Sequence, residues 1–211
     1  MPIKVIQLSL EQNLATTYCL VNESKQCILF DLGYNKNDYI ENYLAKHEYT
    51  CLGLFLTHGH YDHILGINEL SLPQKFPIYI YEDDYRCLED PKYSLTSYLD
   101  NIEIIKQGIK VDCLKEGEIK VGDFEFEVIA TPFHTLGSVC YYFKKDKILI
   151  SGDSLFKLSI GRMDLPGNAK EMLGSSLNKI RQLDKECIVY PGHGPITKLE
   201  NELKFNPYLR K

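Results

Sequence analysis

The sequence predicts an α/β fold in which two sheets are covered by outer helices. Short runs rich in branched and aromatic residues predict strands, and in each half of the chain apolar residues at helical spacing follow them. Residues 51–56 form a continuous apolar run, as expected for a strand buried on both faces. Two sheets with helices outside them would bury all of these runs. No linker or low-complexity segment interrupts the 211 residues, so one domain is predicted over residues 1–211.

The elements of the first half begin with three short strands. Gly33 ends the third strand, and apolar residues at 40, 43 and 44 predict a helix after it. Strands are predicted at 3–9, 16–21, 26–31, 51–56 and 77–81, and helices at 37–47 and from about residue 62. Residues 82–111 are less regular, and no element is predicted there.

The second half is predicted to begin with two hairpins. The first joins strands 118–121 and 124–130 through Gly122-Asp123, and the second joins strands 138–143 and 147–151. A helix over 169–183 and a short strand over 188–190 follow. Thr197 with Glu200 predicts a capping box that would begin a final helix.

Composition and charge narrow the class of protein. The net charge of −5 gives no general electrostatic attraction to nucleic acid or to an anionic membrane, so neither is expected as a partner. The seven cysteines are odd in number and never closer than eight residues, which favours reduced core residues over disulfides or zinc thiolates. No run approaches 18 apolar residues and the N-terminus has no long apolar segment, so a cytoplasmic location is expected.

Residues 57–63, T-H-G-H-Y-D-H, hold three of the chain's six histidines. At the end of a strand, residues i and i+2 point to one side, so His58 and His60 can reach one metal ion together. Asp62 and His63 fall where the chain turns into a helix and point elsewhere. Two such pairs suit two metal ions better than one tetrahedral site.

Three more candidate ligands, His134, Asp153 and His193, each follow a predicted strand and stand among glycine, proline or small residues. Loops at strand ends, held by a rigid sheet, are where sites are usually built. Alone, each would more often be a hydrogen-bonded loop residue or a cap. Together with the T-H-G-H-Y-D-H cluster they supply the further ligands that it needs. The sixth histidine, His47, lies on a predicted helix and is expected at the surface.

Four motifs, THGHYDH (57–63), TPFHTLGS (131–138), SGDSLF (151–156) and PGHG (191–194), together with the turn FDLG (30–33), resemble those of the metallo-β-lactamase superfamily. The segments GDSLF (152–156) and IGRMDL (160–165) resemble its glyoxalase II-like (hydroxyacylglutathione hydrolase-like) branch, and residues 202–209 resemble short bacterial members. The resemblance implies an αββα sandwich of two mixed sheets with the site at one edge.

The resemblance also implies a role for each candidate. A first metal would be bound by His58, His60 and His134, and a second by Asp62, His63 and His193. Asp153 would bridge both metals, and Asp31 would support the site through a hydrogen bond rather than bind metal. The sequence departs from the family pattern in two places. Phe133 replaces the usual glycine before the histidine of the third motif, which is expected to reshape the pocket wall.

The helical C-terminal extension that holds glutathione in long relatives is not found, so the resemblance does not predict which thiol the substrate carries.

The leading functional hypothesis is a thioester hydrolase with a small substrate such as S-lactoylglutathione. Two Zn²⁺ ions would bind a bridging hydroxide at neutral pH for attack on the carbonyl carbon, and Asp62 would orient it as the catalytic carboxylate. A thiolate can leave without a strong general acid. Arg162 is expected either to anchor an anionic substrate or to pair with Asp164 at the surface.

Other functions remain open at this point. Fe could occupy one or both sites, and an Fe(II)-dependent persulfide dioxygenase would use ligands of the His58, His134 and Asp153 type. Hydrolysis of another small ester or lactone is a second alternative, and a metal-stabilised binding module a third. A nuclease is disfavoured by the acidic charge. A true β-lactamase is disfavoured because Asp153 stands where cysteine or serine is expected.

Overall fold

The computed structural model describes residues 3–8, 14–99 and 104–210. Its first sheet has six strands in chain order: β1 (Lys4–Leu8), β2 (Thr17–Val21), β3 (Gln26–Phe30), β4 (Thr50–Phe55), β5 (Ile78–Tyr81) and β6 (Val111–Leu114). The pairs β1–β2 and β2–β3 are antiparallel, and the pairs from β3 to β6 are parallel. Two helices lie between these strands in the chain, α1 (Tyr39–His47) and α2 (Tyr61–Ile64).

The second sheet also has six strands: β7 (Gly117–Val121), β8 (Phe124–Ala130), β9 (Val139–Phe143), β10 (Ile148–Gly152), β11 (Ile188–Pro191) and β12 (Thr197–Lys198). They lie side by side in the order of the chain. Only β10 and β11 pair in parallel. Helix α3 (Leu173–Arg181) lies between β10 and β11 in the chain, and α4 (Leu199–Phe205) follows β12.

Three hydrophobic cores hold these layers together. The middle core joins the sheets through aromatic contacts: Phe55 packs against Phe126 with ring centroids 5.2 Å apart, and Phe30 against Tyr141 at 4.9 Å. One outer core packs α1 on the first sheet, and the other packs α3 and α4 on the second. Alternating side chains of the central strands β3 and β10 thus face an outer helix or the opposite sheet. The predicted αββα sandwich with two mixed sheets is confirmed.

Several local predictions are wrong. Strands β6 and β12 were not predicted, because each is short and completes the edge of a sheet. The predicted helix near residue 62 is a single turn, α2, followed by the 3-10 helix Leu65–Glu69. The capping box at Thr197 does not form. The N-cap of α4 is Lys198, and the Thr197 hydroxyl donates instead to Glu202 Oε1 at 2.7 Å.

The cysteines are free, and five of the seven are buried. Cys113 is exposed on β6, so the expectation of a core position is wrong for it. Every helix over residues 3–8, 14–99 and 104–210 is too short or too polar to span a bilayer.

Candidate metal centre

All seven predicted ligands lie just past strand ends, at the edge where the two sheets meet. His58, His60, Asp62 and His63 follow β4, whereas His134 follows β8, Asp153 follows β10 and His193 follows β11. A backbone hydrogen bond from Val139 N–H to Thr57 O (2.9 Å) joins the two sheets beside these loops. Gly192 permits a close approach, because a Cβ there would lie 2.5 Å from Asp153 Oδ1.

Three histidines form one cluster, which we call the first triad: His58, His60 and His134. His60 Nδ1 lies 3.1 Å from His58 Nε2 and 3.0 Å from His134 Nε2. All three side chains are buried, and their ligand atoms lie within 4.8 Å of one another. The i, i+2 spacing therefore places His58 and His60 on one side, and the loop after β8 brings the third ring to them.

Asp62, His63 and His193 form the second triad. His193 Nε2 lies 2.9 Å from Asp62 Oδ2, and His63 Nε2 lies 3.8 Å from the same oxygen. His63 is completely buried, whereas His193 keeps 32% of its side chain exposed. The second triad therefore lies nearer to solvent than the first.

Asp153 lies between the two triads. Its Oδ2 is 3.4 Å from His134 Nε2 in the first triad, and its Oδ1 is 3.3 Å from His63 Nε2 in the second. His58, His63 and Asp153 also form a third set of ligand atoms within 4.8 Å of one another. Each carboxylate oxygen thus faces a different triad, an arrangement in which one carboxylate can bridge two metal ions.

Two hydrogen bonds orient the histidine rings. Asp31 accepts from Thr57 N (2.7 Å) and Thr57 Oγ1 (2.8 Å), and its Oδ2 lies 2.8 Å from His63 Nδ1. Similarly, His134 Nδ1 lies 2.8 Å from the Arg162 carbonyl oxygen. In each case the bond occupies Nδ1 and leaves Nε2 facing the cluster, as partners of metal-bound histidines do. Asp31 has the position expected of it, whereas the Arg162 carbonyl has no sequence signal.

The electrostatics differ between the triads. Burial, reinforced by neighbouring histidines, holds the pKa of His58 well below its ordinary value and lowers the pKa of His60 to about 3. Burial also lowers the pKa of His63, but the charges of Asp31, Asp62 and Asp153 outweigh it and hold that pKa well above its ordinary value. Burial raises the pKa of Asp153, yet the charge on His63 brings it below the ordinary range. His58 and His60 are therefore neutral imidazoles at neutral pH, the form that binds metal.

The donor set fits divalent transition-metal ions. Imidazole nitrogens with carboxylate oxygens suit Zn²⁺ and iron alike. Two buried atoms that face the cluster, His63 Nε2 and Asp153 Oδ1, have no hydrogen-bond partner among the described residues. Buried polar atoms are rarely left without a partner, and a bound cation would satisfy both.

Two other predicted features have different outcomes. Arg162 is 63% exposed, and its Nε and Nη2 donate to the two oxygens of Asp164 at 2.6 and 2.8 Å. Its guanidinium thus has a carboxylate partner, and substrate anchoring stays a prediction. Phe133 is completely buried in the outer core of the second sheet. Because the ring has no exposed surface, it does not itself line a pocket, and it belongs to the same buried cluster as Leu155 and Leu177. A pocket wall reshaped by Phe133 stays a prediction.

Sequence reasoning missed Asp84, which lies in the irregular segment after β5. Its side chain is completely buried and accepts hydrogen bonds from the loops that carry His60 and His134. The local sequence, Glu82-Asp83-Asp84, resembles a solvated acidic turn. Nothing in it distinguishes the buried carboxylate from its two neighbours.

Comparison with known proteins places this site in a family. The model of the metallo-beta-lactamase superfamily matches residues 13–193. The chain is 34% identical over 210 residues to the probable metallo-hydrolase YqgX of Bacillus subtilis, covering 99% of this chain and 95% of that protein. It is also 34% identical over 158 residues to a hydroxyacylglutathione hydrolase of Bartonella henselae, covering 75% of this chain and 54% of that protein. The chain therefore belongs to the metallo-beta-lactamase superfamily.

Solved structures agree with this assignment. The crystal structure of BLEG-1 B3 metallo-beta-lactamase superposes with a TM-score of 0.90 at 35% identity, covering 99% of this chain and 100% of that one. The di-iron-bound form of TTHA1623 superposes with a TM-score of 0.83 at 30% identity, covering 97% of this chain and 100% of that one.

Proposed function

We propose that this protein is a metal-dependent hydrolase that cleaves thioesters. One observation carries the proposal: two triads of ligand atoms lie side by side, with one oxygen of Asp153 facing each. The similarity to a probable metallo-hydrolase supports the hydrolase class. The similarity to a hydroxyacylglutathione hydrolase over three quarters of the chain supports a thioester substrate.

The first triad would bind one metal ion and the second triad would bind another. Asp153 would be a ligand of both ions. Zn²⁺ is the metal we favour, and the di-iron form of TTHA1623 makes iron the alternative to test. When bound, such ions would polarise the substrate carbonyl group and make water nucleophilic at neutral pH.

Asp62 is the residue we assign to water positioning. Burial raises the pKa of Asp62, but the charge on His63 and the hydrogen bond from His193 bring it below the ordinary value, so the side chain is a carboxylate at neutral pH. It also keeps 18% of its side chain exposed. An ionised, partly exposed carboxylate can accept a hydrogen bond from the attacking water and direct it toward the carbonyl carbon.

The leaving group favours a thioester over an amide or an alkyl ester. The pKa values of Asp62 and Asp153 both lie below the ordinary value, so each is a carboxylate before the reaction begins. An amine or alkoxide can leave only after it takes a proton, which Asp62 would first have to remove from the attacking water. A thiol ionises near a pKa of about 8.5, so a thiolate can depart without it.

The test is a side-by-side assay of metal-free protein reloaded with Zn²⁺ or with Fe²⁺. A small hydroxyacyl thioester, the matching oxygen ester, a lactone and a glutathione persulfide with O₂ are the substrates. We expect release of free thiol from the thioester at a kcat/KM at least about tenfold above the value for the ester. Sulfite formation from the persulfide without thioester cleavage would show a dioxygenase instead.

A further inference from the structure

Asp84 lies on the 3-10 helix Glu82–Leu88, which follows β5. The hydrogen-bond partners of its carboxylate lie in loops and not in the strands of either sheet. The side chain is completely buried. Its Oδ2 accepts from Gly59 N–H (2.9 Å) and from the Thr135 hydroxyl (2.8 Å), and its Oδ1 accepts from Gly137 N–H (2.8 Å). All three groups donate to Asp84, so together they satisfy a buried carboxyl group that water does not reach.

These donors belong to the two loops that carry the first triad. Gly59 stands between His58 and His60, and Thr135 follows His134 directly. One loop extends from the first sheet and the other from the second, so a single carboxylate connects ligand loops of opposite sheets. Hydrogen bonds to the ligand side chains themselves typically change metal affinity by about 10–100-fold, and Asp84 acts one step further out, on the loops that carry the ligands.

The packing of the two loops supports the same conclusion. A Cβ at Gly59 would lie 2.3 Å from Cys87 Cβ, and a Cβ at Gly137 would lie 2.3 Å from Asp84 N. Both loops therefore rest directly against the 3-10 helix, with no side chain between them. The second triad has a different support, since Asp31 accepts from His63 and Thr57.

We infer that Asp84 is a positioning residue that sets the separation of the His60 and His134 loops and thereby the metal affinity of the first triad. The inference rests on the metal centre proposed above. It assigns to Asp84 no contact with metal or substrate. Its role differs from that of Asp31, which orients the second triad through His63.

The experiment measures zinc affinity of metal-free protein by competition with a chromophoric chelator. Asp84→Asn is made in two backgrounds: His193→Ala, which leaves the first triad intact, and His60→Ala, which leaves the second triad intact. Glu202→Gln is the matched control. Glu202 is also a completely buried carboxyl, which accepts from the Thr197 hydroxyl, Leu158 N–H and Asn206 Nδ2, away from both triads.

Asp84→Asn is expected to weaken zinc binding about tenfold or more in the His193→Ala background. In the His60→Ala background, Asp84→Asn should change zinc affinity by no more than about twofold. Glu202→Gln should change it by no more than about twofold in either background. Equal weakening of zinc binding at both triads would show a general structural role and overturn the inference, as would no weakening at either.

If Asp84→Asn does not fold, Thr135→Val removes one donor to Asp84 and should weaken zinc binding at the first triad selectively. If the His193→Ala and His60→Ala proteins bind no zinc before Asp84 is changed, the proposed function itself is overturned. If they bind zinc and Asp84→Asn does not weaken that binding, only this inference is overturned.

Discussion

At the scale of single residues, the partner of each ionisable side chain determines whether that side chain can bind metal, orient a ligand or bind substrate. Asp153 faces histidines of both triads, and Asp31 fixes the ring of His63. Arg162 contrasts with them, because its guanidinium is exposed and held by Asp164. An exposed ion pair of this kind contributes little to stability, so its carboxylate can be exchanged for that of a substrate.

Arg162→Ala therefore tests whether this guanidinium binds substrate. For a thioester that carries a carboxylate, KM should rise roughly tenfold while kcat changes little, because the contact is equally strong in the ground and transition states. A neutral thioester of similar size should keep its KM. Asp164→Asn is the matched control: it frees the guanidinium and should leave the KM of the anionic substrate unchanged or lower it. Unchanged KM in both variants would place Arg162 outside the substrate site.

At the scale of elements, the strands place the ligands and a short helix holds their loops. The ends of β4, β8, β10 and β11 could be predicted from the sequence, because apolar runs stop where histidine or aspartate motifs begin. The 3-10 helix Glu82–Leu88 could not be predicted to support the ligand loops, because it contacts residues that are distant in sequence. Asp84 meets Gly137, and Cys87 meets Gly59, only after the sheets have packed.

Gly59→Ala tests this packing directly. The new Cβ would lie 2.3 Å from Cys87 Cβ, and neither atom is at the end of a flexible chain. The free energy of unfolding should therefore fall by about 1–3 kcal/mol, as for other overpacked cores. Gly174→Ala is the control, since nothing lies within 4 Å of its Cβ position on α3, and it should raise stability by about 0.4–1 kcal/mol. Chemical denaturation of the metal-free proteins measures both changes, and equal stability of Gly59→Ala and wild type would contradict the contact.

At the scale of the whole molecule, the site exists only when both sheets are packed together. The loops after β4 supply two ligands to each triad, and the second sheet supplies the third: His134 to the first triad and His193 to the second. Asp153, also from the second sheet, lies between them. Spacing predicts the two pairs after β4, but not which distant residue joins each pair, because the ligands of one triad stand up to 131 residues apart in the chain. Bound metal should therefore stabilise the sandwich as a whole, by an amount that rises with the logarithm of the ratio of free metal concentration to Kd.

The central claim is that the seven ligand residues hold two metal ions with Asp153 shared between them. The most direct test is the metal content of metal-free protein that has been saturated with Zn²⁺ and passed through a desalting column. Wild type and the control His47→Ala, a histidine on α1 outside the site, should each retain two ions per chain. Asp153→Ala should retain one or none and lose roughly 10²-fold or more in kcat. Saturation of wild type at one ion or fewer, or an Asp153→Ala variant with two ions and normal turnover, would contradict the account.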